Sequence, residues 1–143
     1  WPIIVMLAAM IPIGTALQTT GVSNLIATSI SLYASDLSLF WILLIILIVT
    51  MITTDIINNA ATAVIMAPIS TGIALELGYA IEPFLMVVAV GASCAFLTPI
   101  GHQCNTVVMG PGNYKFTDYW RMGLPMDVLI ILASIPMILF VWT

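Results

Sequence analysis

The sequence predicts an all-α integral membrane fold, in which a re-entrant helical hairpin is followed by a discontinuous helix and a final membrane-spanning helix. Of the 143 residues, 62% are hydrophobic and 6% are charged, whereas a soluble domain carries about 25% charged residues. Two apolar runs flank the short polar segment Asn58–Ala63, and a second block of small and polar residues, Thr98–Gly112, interrupts the apolar pattern further on. These three observations predict a membrane protein with two breaks in its helices.

The charge pattern excludes a nucleic-acid partner and predicts one orientation. The formal net charge of −4 is spread thinly, without an acidic or basic run. Lys115 and Arg121 are the only basic residues, and both fall in one short polar segment, which the positive-inside tendency places in the cytoplasm. Cys94 and Cys104 lack metal-site spacing and are expected to be packed thiols. We expect an inner or plasma membrane location.

The first part of the chain predicts two helices that precede the hairpin. Residues 1–17 are apolar but contain Pro2, Pro12 and Gly14, which is typical of a bent membrane helix. Residues 22–33 alternate apolar and polar side chains and predict an amphipathic helix near the interface. Since the chain begins and ends inside hydrophobic stretches, we expect residues 1–143 to be part of a longer membrane domain.

The segment 37–77 predicts the hairpin. Leu37–Thr54 would descend and Ala61–Leu77 would return, with Pro68 tolerated as a kink. An apolar run of about 16 residues gives a helix of roughly 24 Å, less than the roughly 30 Å hydrocarbon core. Alternatively, Asn58, Asn59 and Asn105 are turn and cap residues in loops outside the membrane.

The segment 83–112 predicts the discontinuous helix. Pro83 suits a first helical turn, and the helix would run to about Leu97 before the break at Thr98–Asn105. A short helix from Asn105 to about Met109 would end at Gly110-Pro111-Gly112. The segment 124–142 follows as a full span of roughly 28 Å, with Asp127 near its start.

Each break would present helix carbonyls, which attract cations, beside helix N–H groups, which attract anions. Such a site suits a small anion together with sodium, and secondary transporters build their sites in this way. Asp55 is either a sodium partner or a loop carboxylate facing water, and His102 is either a substrate contact, a proton shuttle or a hydrogen-bonded structural residue. Asn105 is predicted to contact the anion at the second break, where Thr98 is a further candidate residue. An ion channel and a membrane-embedded enzyme are the alternative classes.

Three segments together resemble one family. Asn58–Ala63, Pro99–Asn105 (Pro-Ile-Gly-His-Gln-Cys-Asn) and Gly110–Tyr119 are similar in order and spacing to the C-terminal half of the divalent anion/sodium symporters (DASS) of the ion transporter superfamily. The resemblance implies the second of two inverted repeats, partnered by an N-terminal repeat in a homodimer. It implies sodium-coupled symport of an anion by alternating access, no enzymatic activity and no cofactor other than Na⁺ as coupling ion.

The resemblance also implies roles for residues at the two breaks. Those implied for sodium are Thr54, Asn58, Asn59, Gly101 and Gln103, and those for the anion are Asn59, Ala60 and His102. The Asn58-Asn59-Ala60 tip departs from the family's common Ser-Asn-Thr. The Pro-Ile-Gly-x-Gln-x-Asn pattern is that of a branch linked to sulfate and other inorganic anions, so the resemblance leaves both sulfate-like anions and di- or tricarboxylates open.

Overall fold

The computed structural model describes residues 37–142, together with residues 5, 8, 12, 16, 19–22, 25 and 28. The predicted helices at 1–17 and 22–33 lie outside the continuously described part. Residues 37–142 form helices without strands, which confirms the all-α prediction. In chain order the helices are α1 (Leu39–Ile56), α2 (Asn59–Leu77), α3 (Glu82–Ala92), α4 (Gln103–Met109) and α5 (Phe116–Trp142).

Helices α1 and α2 form a tight helical hairpin with only Ile57 and Asn58 between them. Asn58 is extended (φ −130°, ψ 164°), and its Oδ1 accepts a hydrogen bond from the Ala61 N–H at 2.8 Å. This capping contact starts α2, because it satisfies one of the N–H groups that have no partner within the helix. At the other end Gly78 adopts φ 72°, the left-handed conformation that commonly ends a helix.

Helix α1 is as long as the predicted arm but lies two residues further along the chain, and α2 begins two residues earlier than predicted. Helix α1 has 18 residues and α2 has 19, and each is apolar and long enough to cross a membrane. Only two residues connect them, so there is no extended loop between the arms. Since each arm is long enough either to cross the membrane or to enter it and return, the re-entrant form of the hairpin stays a prediction.

A non-helical segment separates α3 from α4 where the sequence predicts a break, but it is wider than predicted. Helix α3 ends at Ala92 rather than near Leu97, and α4 begins at Gln103 rather than Asn105, with residues 93–102 non-helical between them. We call this segment the break, and several of its backbone groups bond to distant side chains instead of to the next turn of a helix. The Leu97 N–H donates to Asp55 Oδ1, and the Ala95 carbonyl accepts from Asn105 Nδ2.

Helix α3 lies at the centre of the described fold, packed against α1 and α2, while α5 packs against α3 and α1. The α1–α3 contact is close, since a Cβ placed on Gly91 would lie 2.9 Å from Thr50 Cβ. Phe84, Leu43 and Leu47 are fully buried in this core.

The prediction that the last helix starts at Leu124 is wrong, because α5 begins at Phe116. Asp118 Oδ2 accepts a hydrogen bond from the Lys115 N–H at 2.8 Å, which satisfies an N–H group just before the first turn. Arg121 therefore lies within a helix rather than in a loop. Asp127 lies in the interior of α5 and is only 8% exposed, not at an interfacial helix start.

Candidate functional site

The structure places the hairpin turn and the break side by side, as predicted. A cavity of about 180 Å³, which we call the tip cavity, lies between them. It is lined by residues that the sequence singles out, namely Asn58, Asn59, Ala60, Gly101, His102 and Gln103. The remaining predicted residues, Thr54, Asp55, Thr98 and Asn105, do not line it and instead hold its walls together.

Gly101 makes the closest approach between the break and the hairpin. It is buried, and a Cβ placed on it would lie 2.7 Å from the Thr54 carbonyl oxygen and 3.0 Å from Asp55 Cα. A side chain of any size would therefore meet the α1 backbone, which cannot turn aside as a flexible side chain can. Glycine at this position lets the break lie directly on the last turn of α1.

Thr54 connects three elements at the tip. It is fully buried, and its Oγ1 lies 2.9 Å from Asn59 Oδ1 and 2.9 Å from the Ala92 carbonyl oxygen. The hydroxyl has one proton and donates to one of these acceptors at a time. Thr54 thus orients the Asn59 side chain, at the start of α2, relative to the end of α3.

Asp55 does not face water, since only 4% of its surface is exposed. Its Oδ1 accepts from the Leu97 N–H at 3.0 Å, and its carbonyl oxygen accepts from Thr98 Oγ1 at 2.6 Å. Thr98 Oγ1 in turn accepts from the Gly101 N–H at 3.2 Å. Asp55 and Thr98 therefore fasten the break to α1.

Asn105 braces the break from the α4 side. Its Nδ2 donates to the Ala95 carbonyl at 2.9 Å and to the Thr98 carbonyl at 3.1 Å, so both amide hydrogens are used. Its backbone carbonyl accepts from the Tyr119 hydroxyl at 2.7 Å. The sequence predicts Asn105 as the residue that opens α4, but His102 is the N-cap.

His102 is exposed at the tip cavity and has one ring nitrogen engaged. Its Nδ1 accepts a hydrogen bond from the Cys104 N–H at 3.2 Å. The neutral imidazole then carries its proton on Nε2, which is able to donate to a ligand. The hydrogen bond from Cys104 fits the structural role predicted for His102, and the exposed Nε2 is compatible with the two other roles, substrate contact and proton shuttle.

A larger cavity of about 290 Å³ lies between the break, α4 and α5, with a mainly apolar lining. It includes Phe96, Tyr114, Tyr119 and Asp118. Of the predicted site residues only Asn105 lines it, and the Asn105 amide hydrogens are directed to carbonyls of the break. The tip cavity is therefore the stronger candidate for a polar ligand.

The fold and the tip cavity define the class of this protein: within residues 37–142, three long apolar helices compatible with membrane spans support a small polar cavity at helix ends, as in integral membrane transporters. The chain belongs to the citrate transporter family, which matches residues 1–91. The sequence-based resemblance to anion symporters is thereby confirmed. The family is one of transporters, in agreement with the prediction that the chain is not an enzyme.

Individual relatives match nearly the whole chain. An uncharacterized transporter of Synechocystis is 38% identical over 142 residues, covering 99% of this chain and 23% of that protein. Sodium/sulfate cotransporter 2 of Chlamydomonas reinhardtii is 27% identical over 94% of this chain and 15% of its own length. Sodium-dependent high-affinity dicarboxylate transporter 3 of Caenorhabditis elegans is 26% identical over 92% and 23%. The chain thus spans less than a quarter of the length of these curated relatives.

Proposed function

We propose that the full-length protein is a secondary active transporter that carries a small anion, sulfate-like or a di- or tricarboxylate, by sodium-coupled alternating access. The observation that supports this most directly is the tip cavity, where the start of α2 and the break meet. The relatives named as sodium/sulfate and dicarboxylate transporters support the choice of anion and of coupling ion.

The anion is proposed to bind at the start of α2. The N–H groups of Asn59 and Ala60 have no partner within the helix, because they belong to its first turn. They carry the positive end of the helix dipole, equivalent to roughly half an elementary charge. The His102 Nε2–H adds a donor from the opposite wall. A site built from helix dipoles binds an anion less tightly than Lys or Arg side chains would, so the transported anion is released more easily.

Sodium is proposed to bind beside the anion, where the last turn of α1 meets Gly101. Helix C-terminal carbonyls carry the negative end of the dipole and are suitable cation ligands. The candidate ligands are side-chain or backbone oxygens of Thr54, Asn58, Asn59, Gly101 and Gln103. A cation there would reduce the cost of burying an anion next to it, which provides a physical basis for coupling.

The hydrogen bonds around the break support movement of the hairpin and the discontinuous helix as one body. The end of α1 is joined to the break by the bonds that Leu97 and Thr98 make to Asp55. It is joined to α2 and α3 by the bonds of Thr54 to Asn59 and Ala92. In this proposal an N-terminal repeat supplies the opposite wall of the pathway, and the transporter works as a homodimer.

The proposal is tested by uptake into proteoliposomes that contain the full-length protein. Labelled sulfate, phosphate, succinate and citrate are each offered with and without a sodium gradient. We expect saturable, sodium-dependent uptake of at least one of these anions. Ion flux that does not saturate and does not exchange would instead identify a channel and overturn the proposal.

Asn59→Ala is expected to reduce sodium-dependent uptake at least tenfold while the protein remains folded. The substitution removes the amide that Thr54 orients at the tip and keeps the helical backbone. Asn113→Gly is the matched control, since it removes an amide from an exposed turn where φ is 52°, a conformation that suits glycine. Equal uptake by both variants would remove Asn59 from the site.

Ala60→Cys is expected to react with a water-soluble thiol reagent and to be protected by the transported anion. The background should carry Cys104→Ser, because Cys104 is exposed while Cys94 is buried. Gly110→Cys, in open space outside the tip cavity, serves as the unprotected control. Labelling of Ala60→Cys that no candidate anion slows would place the anion elsewhere.

A further inference from the structure

Two buried carboxylates approach each other away from the lining of the tip cavity. Asp55 in α1 is 4% exposed and Asp127 in α5 is 8% exposed. The Asp55 carboxylate lies within electrostatic range of Asp127, and both carboxylates lie within range of the Cys94 thiol in the break. Both carboxylates therefore lie near Cys94, at the start of the break.

The backbone explains how the two residues meet. Gly123 packs directly on the break, since a Cβ on it would lie 2.5 Å from the Phe96 carbonyl oxygen and 3.0 Å from the Leu97 nitrogen. Asp127 lies four residues later on the same face of α5. The Leu97 N–H donates to Asp55 Oδ1 from the other side. Asp127 and Asp55 therefore approach one short stretch of the break from two helices.

Each carboxylate keeps one buried oxygen without a partner. Asp55 Oδ2 and Asp127 Oδ1 are both inaccessible to solvent and accept no hydrogen bond within the described residues. The Cys94 thiol donates to the Val90 carbonyl at 3.1 Å. Buried charged oxygens normally have partners, because an unpaired one loses its hydration without a compensating interaction.

Basic side chains do not compensate this pair. Lys115 and Arg121 are the only two in the sequence, and both are exposed. Two adjacent carboxylates in an apolar setting, with free oxygens and without a basic partner, have the charge and the ligand type of a site for a hard cation.

We propose that Asp55 Oδ2 and Asp127 Oδ1 are ligands of a buried sodium ion, held between α1 and α5 beside the break. This site differs from the tip site because its ligands are carboxylates that do not line the tip cavity. Its coupling role depends on the proposed sodium-linked transport, but its existence does not. A bound cation here would hold α5 to the hairpin, so that the final helix and the break stay together.

Binding of ²²Na⁺ to the purified full-length transporter, measured without any anion, tests the proposal. Asp127→Asn and Asp55→Asn are each expected to lower the saturating stoichiometry by one ion per protomer, and the double variant by the same single ion. The Asp55→Asn side chain keeps its oxygen acceptor for the Leu97 N–H, so the break stays fastened. Glu76→Gln, which removes an exposed carboxylate at the end of α2, is expected to leave the stoichiometry unchanged.

Thermal unfolding provides the second measurement. Sodium is expected to raise the unfolding temperature of the parent protein more than that of Asp127→Asn, because a ligand stabilises only the state that binds it. An unchanged sodium stoichiometry in both single variants would overturn the site. The same result is expected if another group of the full-length protein, and not a sodium ion, neutralises the two carboxylates. A protein that takes up none of the offered anions, yet loses one sodium ion in these variants, would contradict the proposed function and leave the site intact.

Discussion

Replacing Gly101 with alanine is expected to reduce sodium-dependent uptake more than tenfold and to destabilise the hairpin–break contact by about 1–3 kcal/mol. The added Cβ would lie 2.7 Å from the Thr54 carbonyl oxygen, 2.8 Å from Ala95 Cβ and 3.0 Å from Asp55 Cα. Two of these three neighbours are backbone atoms, so the break itself has to move away from α1. The tip cavity is the space between these two elements, and its geometry would change with them.

Gly110→Ala is the matched control for this experiment. Gly110 has φ −67°, and a Cβ placed on it meets nothing within 4 Å, so alanine fits there without strain. Uptake and thermal unfolding of both variants are measured in the full-length protein. If Gly101→Ala transported as well as Gly110→Ala, the close contact between the break and α1 would not matter for transport, and the proposed rigid unit would lose its main support.

The sequence predicts the order of the elements because that order depends on local signals, whereas the approach of the hairpin turn to the break is implied by the family resemblance. Asn58 is a capping residue just before a helix, and its side chain makes the expected bond to the Ala61 N–H. Pro83 lies in the first turn of α3. These features need only residues within one helical turn, and the structure agrees with them.

The extent of the break could not be predicted, since distant residues determine it. The Leu97 N–H leaves the helical pattern to bond with Asp55, which is far away along the chain. The residues just before Leu97, from Ser93 to Phe96, are small or apolar and include no proline or glycine, so the local sequence favours continuing the helix. The role of Asn105 was missed for the same reason, because its amide bonds to carbonyls of the break rather than to N–H groups of α4.

The burial of Asp127 was missed through a wrong helix boundary. Gly123 and Pro125 favour a helix start near Leu124, which would place Asp127 at an interface. The sequence feature that could have indicated an earlier start is Asp118, because acidic residues are common in the first turn of a helix. In the structure its carboxylate accepts a hydrogen bond from the Lys115 N–H. With the start at Phe116, Gly123 and Asp127 share a face that packs on the break.

Asn105→Leu is expected to lower the thermal stability of the transporter and to raise the half-saturating anion concentration roughly tenfold. The substitution leaves the Ala95 and Thr98 carbonyls without their donor, and an unsatisfied buried acceptor costs about 1–3 kcal/mol. Since Thr98 also accepts from Gly101 and donates to Asp55, the disturbance reaches the tip cavity through the break. Both unfolding and uptake of the full-length protein are measured, with Asn113→Gly again as the control.

The two measurements together separate bracing from direct anion contact. If Asn105 braces the break, Asn105→Leu lowers the unfolding temperature even without an anion. Tyr119→Phe should then produce a smaller decrease, because it removes only the hydroxyl that bonds to the Asn105 carbonyl. An Asn105 that contacts the anion changes half-saturation without affecting the unfolding of the anion-free protein. The second pattern would show that the Asn105 amide leaves the two carbonyls during transport, and would contradict a break that moves as a rigid part of the hairpin unit.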